Sequence, residues 1–238
     1  MSDSGVSGKK GILSGNQLKI IALVAMTCDH VGKELLPEYE VLQIIGRLAF
    51  PIFAYMIAEG CRYTRNRRKH LLQVAVLALL CQIVYFAAER SLFQCILVTF
   101  SLSIGLIYVI DYARKKRTAA TWGGVAVFCG AVWFLSVILP IVLKGTDFAV
   151  DYGIWGILLP VVVYFIPEKL KIPVVAAILV PLCLELGDMQ WYAMLAVPLL
   201  ALYSGKKGKA NIKHLFLTYY PAHMVCIYLL SLLIKGNS

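Results

Sequence analysis

Apolar runs recur along the chain from Leu18 to its last residues, each broken by a short polar or basic stretch. Runs of about 20 apolar residues are long enough to cross a bilayer as helices. They place spans near 14–36, 41–61, 70–88, 92–112, 119–143, 150–166, 172–186, 189–203 and 214–234, the sixth to eighth being short. No polar block between them is long enough for an aqueous domain. The pattern predicts an all-α polytopic integral membrane protein of about nine transmembrane helices. It reads as one domain over 1–238, with 1–11 as a flexible cytoplasmic N-terminal segment.

Composition agrees. Of the 238 residues, 60% are hydrophobic and 15% charged, against roughly 45–50% and about 25% in a soluble domain. The net charge of +10 would suit nucleic acid, but in a membrane chain the place of each Lys and Arg is decided first by topology. With the N-terminus in the cytoplasm, 18 of the 23 basic residues fall in inner segments. Only Lys33, Arg90, Lys144 and Lys235 fall outside, and Arg47 lies within a span. Acidic residues run the other way, with Glu34, Glu38, Glu40, Glu89, Asp147, Asp151, Glu185 and Asp188 outside. Every loop keeps the alternation, so the N-terminus is expected inside and the C-terminus outside. The positive charge is thus a topology signal, and no nucleic-acid partner is expected. Lys9 and Lys10 imitate the start of a signal peptide. Asn16, Gln17, Lys19, Asp29 and His30 break the apolar run that would follow, and no small-residue cleavage site comes after it. The seven cysteines are scattered and form no CxxC pair, so neither a disulfide framework nor a metal site is expected.

Ionisable side chains at bilayer depth cost on the order of 2.5–3.5 kcal/mol each to insert and commonly mark function. Here they cluster. Asp29 and His30 lie in span one, Arg47 and Glu59 in span two and His223 in the last. On a helix turning about 100° per residue, Asn16, Lys19, Thr27, His30 and Glu34 fall within roughly 80° of one another. Asp29 points away from this stripe and is expected to pair with Arg47 of the neighbouring helix. That pair is either a catalytic element or a structural lock between helices. His30, titratable near neutral pH, is the leading candidate for catalysis. Tyr219 and Tyr220 precede His223 by one helical turn and share its face, as substrate-contacting candidates.

The inner end of span two reads Glu59, Arg62, Arg65, Arg67, Arg68 and Lys69. These residues anchor topology, and their guanidinium groups also suit a phosphorylated ligand. The loop Ser204-Gly205-Lys206-Lys207-Gly208-Lys209 offers further ammonium groups and flexible backbone donors.

These residues bring a family into view. Lys19-Ile20-Ile21-Ala22 through Asp29, His30 and Gly32, and Ile45-Gly46-Arg47-Leu48-Ala49-Phe50-Pro51, resemble the TraX family of F-pilin N-terminal acetylases. So do Asp151-Tyr152-Gly153, Tyr203-Ser204-Gly205-Lys206-Lys207-Gly208 and Tyr219-Tyr220-Pro221-Ala222-His223. The resemblance is similar in kind to the broader transmembrane acyltransferases. It implies an acyl-CoA-dependent acetyltransferase of the bacterial inner membrane. Acetyl-CoA would be the donor. The acceptor, reached from the outer side, would be the N-terminal amine of a pilin or other peptide. A glycan or lipid-linked hydroxyl is the alternative acceptor, and a small-molecule or ion transporter using the intramembrane Asp, His and Arg is the alternative function.

On this reading His30 is the general base, or else carries the acetyl group. Asp29, Arg47 and His223 complete the catalytic set, with Arg47, Tyr220 or His223 as oxyanion donors. Glu59, Arg62, Arg65, Arg68, Lys206 and Lys207 are the expected CoA-binding residues.

Overall fold

The computed structural model describes residues 11–209 and 213–235, so most of the expected N-terminal segment lies outside the described residues. Among the described residues every regular element is helical, with isolated bridges from Leu13 to Tyr203 and from Gln94 to Val150 and no strand. The helices are α1 (Gly15–Glu34), α2 (Glu40–Gly46), α3 (Ala49–Tyr63), α4 (Arg67–Glu89), α5 (Ile96–Lys116), α6 (Ala119–Trp133), α7 (Leu139–Val142), α8 (Gly153–Phe165), α9 (Lys171–Leu186), α10 (Ala196–Ala201) and α11 (Lys213–Lys235). Among the described residues, four stretches are long and apolar enough to cross a membrane: Glu40–Tyr63, Arg67–Ala87, Ile96–Lys116 and Ala119–Val142. On α4 the apolar side chains Leu72, Val76, Leu79, Leu80 and Ile83 are exposed, as a lipid-facing helix requires.

Prolines explain most departures from nine regular helices. The second expected span is interrupted at Arg47 and Leu48. Pro51 has no N–H for the Arg47 carbonyl, which would be its partner in a continuous helix. The same logic applies to Pro140 and the Ser136 carbonyl. The chain there widens into a π-helical turn, Phe134–Ile138, between α6 and α7. The expected span 189–203 is not one α-helix. It is a 3-10 segment, Asp188–Leu195, followed by the short α10. Gly187, at φ +90°, stops α9, and Pro198 withholds the donor that Met194 would need. α8 has 13 residues and extends only roughly 20 Å.

The contacts gather into two compact units, one formed by Met1–Phe53 with Gly187–Ser238 and the other by Ala54–Leu186. In the first, α1 packs against α2 and α11, and α2 packs against the 3-10 segment. Ser14 and Gln17 form a reciprocal cap at the start of α1. The chain after α10 runs back along that start. Gly15 and Asn16 amides donate to the Lys206 and Lys207 carbonyls at 2.8 and 2.9 Å. Gly208, at φ +93°, packs there against Ser14 and Asn16. Further along, Gly46 lets α2 touch α1, because a Cβ at 46 would overlap the Asp29 side chain.

In the second unit α5 is central, flanked by α4, α6 and α8, with α9 against α8. Small polar residues one turn apart on α5 hold α8 close. Thr99 Oγ1 donates to the Asp151 carbonyl at 2.7 Å and Ser103 Oγ to the Ile157 carbonyl at 2.9 Å. At one end of this unit the Ser91 hydroxyl and the Leu92 amide donate to Asp147. These bonds hold the exposed Asp147 carboxyl below the usual carboxylate range.

Gly46→Ala is expected to separate α1 from α2 and destabilise the protein by about 1–3 kcal/mol, as overpacking does. Gly124→Ala, where a Cβ meets nothing within 4 Å, is the control. Thermal unfolding of both variants in one detergent measures the contrast.

Candidate functional site

In the first unit the polar residues of α1 divide between two neighbours. Asp29 faces α2. One carboxylate oxygen pairs with Arg47 Nη2, and the other takes Lys33 Nζ at 2.7 Å. Arg47 also donates through Nη1 to Gln190 Oε1 at 3.3 Å and through Nε to the Gln43 carbonyl at 3.4 Å. Asp29 is buried, and Gln190 is buried beside the pair. The guanidinium is therefore fixed by three acceptors on three parts of the chain. The residue expected as an oxyanion donor thus has protein acceptors at Nε, Nη1 and Nη2. Its geometry is that of a charge lock.

The stripe of α1 faces α11. Thr27 Oγ1 donates to the Leu23 carbonyl at 2.9 Å, so the contact of 2.7 Å with Tyr219 Oη has the tyrosine as donor. One turn on, His30 Nδ1 lies 3.3 Å from His223 Nε2, with ring centroids 5.0 Å apart. Tyr219 stacks on the His223 ring at 5.3 Å with an interplanar angle of 10°, and Tyr220 meets it edge-on at 5.5 Å. His223 is 7% exposed and His30 half-buried. The four residues His30, Tyr219, Tyr220 and His223, read separately from the sequence, form one cluster.

Carbonyl partners fix the protons. His223 Nδ1 lies 2.9 Å from the Tyr219 carbonyl, which only accepts, so Nδ1 carries the hydrogen. Its Nε2 is then the acceptor in the neutral ring. His30 Nδ1 lies 2.9 Å from the Met26 carbonyl and donates there and toward His223 Nε2. The basic nitrogen of His30 is Nε2. In this arrangement both nitrogens of His223 are engaged, Nδ1 with the Tyr219 carbonyl and Nε2 with His30. Tyr220, also expected as an oxyanion donor, lies beside the pair.

The residues expected to bind CoA divide between the two compact units. Lys206 and Lys207 belong to the first unit, their carbonyls bonded to α1 and their side chains exposed. The loop meets α1 through backbone acceptors, whereas flexible donors were expected. Glu59, Arg62, Arg65 and Arg68 belong to the second unit. Glu59 Oε1 takes Lys171 Nζ at 2.7 Å, and the same ammonium reaches Glu168 at 2.6 Å. Lys171 is fully buried, with its Nζ 5.3 Å above the Tyr55 ring. Arg62 donates to the Tyr164 carbonyl at 2.8 Å and sits 3.5 Å from both Glu59 and Glu168. Two cations and two anions balance, so Glu59 and Arg62 belong to a neutral cluster in which Glu59 and Lys171 are buried and Arg62 and Glu168 are exposed. Arg65 and Arg68 are exposed.

Lys171 carries no role in the sequence reading, where it falls between the expected spans 150–166 and 172–186. Its spacing from Glu168, three residues, was the available signal.

With this geometry in place, similarity becomes informative. The family model described as TraX protein matches residues 14–231. The chain belongs to the TraX family. Among relatives, the probable fimbrial assembly protein FimC, serogroup H1, of Dichelobacter nodosus is 25% identical, with 90% of this chain and 94% of that protein covered. The uncharacterized protein RP591 of Rickettsia prowazekii (strain Madrid E) is 28% identical over 57% of this chain and 49% of its own length. No solved structure matches. The TraX match runs through the histidine cluster, the Asp29–Arg47 lock and the neutral cluster alike.

Lys171→Met is expected to cost about 3–5 kcal/mol, because it strands two carboxylates near one arginine. The double variant Glu59→Gln/Lys171→Met should recover most of that loss. Unfolding midpoints of the two variants in detergent, against the unaltered protein, check both expectations.

Proposed function

We propose that this TraX-family chain is a membrane-embedded acetyltransferase. It moves an acetyl group from acetyl-CoA on the cytoplasmic side to an acceptor reached from the other side, an N-terminal amine of a pilin-like peptide. The observation that carries the proposal is the His30–His223 pair. It leaves one basic nitrogen, His30 Nε2, defined by hydrogen bonds from both sides. The fimbrial-assembly name of the Dichelobacter relative supports a pilin-type acceptor.

In the proposed reaction the neutral acceptor amine attacks the thioester carbonyl while His30 Nε2 removes its proton. The C–N bond forms and the C–S bond breaks. The CoA thiolate leaves and takes the proton back from His30, so no net proton is consumed in that step. His223 accepts the Nδ1 hydrogen of His30 throughout, keeping Nε2 directed at the acceptor. Tyr220 is the candidate donor to the developing oxyanion. Asp29 and Arg47 hold α1 and α2 in place around this chemistry.

The topology we propose has nine crossings, the N-terminus inside and the C-terminus outside. Within the second unit, Arg62, Arg67, Asp111, Tyr164 and Lys171 meet at one end, and Ser91, Gln94, Asp147 and Ala149 at the other. Each group consists of residues expected on one side. In the first unit Gly15 and Asn16 meet Lys206 and Lys207, again a same-side pairing.

His30→Ala is expected to leave the protein folded while acetyl transfer to a pilin N-terminal peptide falls by about 10²–10⁴-fold. Labelled acetyl-CoA with purified protein measures it. A near wild-type rate would remove His30 from the mechanism. His223→Leu, which frees His30 to change tautomer, should lower the rate less and displace its pH profile. Thiol labelling of single cysteines placed at Ser2 and Ser238 should occur from opposite faces of the membrane. Labelling of both from one face would reject the nine-crossing topology.

A further inference from the structure

The basic run after α3 contains residues that the neutral Glu59–Lys171 cluster does not absorb. Arg67 and Arg68 open α4, and Tyr108, Tyr112 and Lys115 share one face of the last turns of α5 at spacings of three and four. α4 and α5 pack against each other, and the two sets line a cleft of about 810 Å³ together with Arg114. The volume falls within the roughly 300–1,000 Å³ range of small-ligand sites.

Charge in the cleft is not balanced. Asp111, its one carboxylate, takes Arg67 Nη2 at 2.6 Å and the Tyr164 hydroxyl at 2.6 Å. Arg67 is further stacked over Tyr108 at 5.1 Å. Arg68, Arg114 and Lys115 have no carboxylate partner among the described residues. Arg114 is held by the Phe165 ring at 4.9 Å. Cations that merely anchor topology, or complement the C-terminal dipole of α5, need no cleft and no aromatic wall. Here Tyr112, 55% exposed, lines the cleft among them.

We propose that this cleft binds the nucleotide end of the acyl donor, a 3′-phosphorylated adenosine diphosphate group. Arg68, Arg114 and Lys115 meet the phosphates, and Tyr112 stacks on the base. Arg67 is a positioning residue, fixed by Asp111 and Tyr164. The proposal rests on the acetyl-CoA reading above and names the place where that donor is recognised. It relocates CoA recognition from Glu59, Arg62, Lys206 and Lys207 to the opening of α4 and the close of α5.

The test uses the full chain in phosphatidylcholine nanodiscs, with calorimetric titration of CoA, 3′-dephospho-CoA and adenosine 3′,5′-bisphosphate. The unaltered protein and His30→Ala should bind CoA equally, and 3′-dephospho-CoA more weakly. The variant Arg68→Ala/Arg114→Ala/Lys115→Ala should lose about 100-fold in CoA affinity. Tyr112→Ala, at an exposed position, should weaken adenosine 3′,5′-bisphosphate binding without altering the unfolding midpoint, which keeps the test open if the triple variant folds poorly. Wild-type CoA affinity in both variants would overturn the cleft and leave the acetyltransferase reading standing. Failure of the unaltered protein to bind CoA would overturn both. A third outcome is retention of phosphatidylglycerol through purification, lost in the triple variant, with no CoA binding. That would make the cleft a lipid-headgroup site and overturn the nucleotide.

Discussion

Asp29 and Arg47 are each too costly to bury alone, and much of the first unit is arranged so that neither is. The carboxylate sits in the last two turns of α1, where Lys33 on the same helix shares it. The guanidinium sits at the break between α2 and α3, a position opened by Pro51. Gly46 brings the two backbones close enough for the pair to form. Gln190, from the 3-10 segment far along the chain, closes the shell around Arg47. Removing Asp29 would leave Arg47 without a counter-charge, and removing Arg47 would leave Asp29 with Lys33 alone, so the packing of these elements and the pairing of these groups are one constraint.

The same rule organises the second unit through different residues. Lys171 is buried at the start of α9 and is neutralised by Glu59 from α3 and Glu168 just before it. Tyr164 then joins this cluster to the next. Its carbonyl accepts from Arg62, and its hydroxyl donates to Asp111, which also holds Arg67. Charge is balanced in the first cluster and unbalanced in the second. That difference separates residues that build the fold from residues left able to hold an anion.

The histidine pair and the lock lie on different sides of α1. Asp29 and His30 are adjacent in sequence, yet a helix turns about 100° between them, so one faces α2 and the other α11. An Asp-His dipeptide therefore does not act here as a carboxylate orienting its neighbouring imidazole. The orienting groups are backbone carbonyls at Met26 and Tyr219, supplied by the helices themselves, and the second histidine. Aromatic rings of Tyr219 and Tyr220 then limit how the His223 ring can turn.

The sequence by itself determined the helical class, the apolar segments, the separation of basic from acidic stretches and the places of Asp29, His30, Arg47 and His223 within apolar runs. All of these follow from partition between water and lipid, which acts on each residue where it stands and leaves a linear record. Pairing does not. His30 and His223 are 193 residues apart, Arg47 and Gln190 are 143 apart, and Glu59 and Lys171 are 112 apart. A charge pattern cannot say which of several possible partners a buried ion meets. Glu59 accordingly reads in the sequence as part of a phosphate site, and in the structure it pairs with Lys171. The helix breaks were half legible, since Pro51, Pro140 and Pro198 are visible in the sequence. Whether each produces a kink, a wide turn or a 3-10 run depends on what packs against it. Tertiary structure also decided the tautomers, because the carbonyl that fixes each imidazole proton belongs to a helix whose rotation is set by its neighbours.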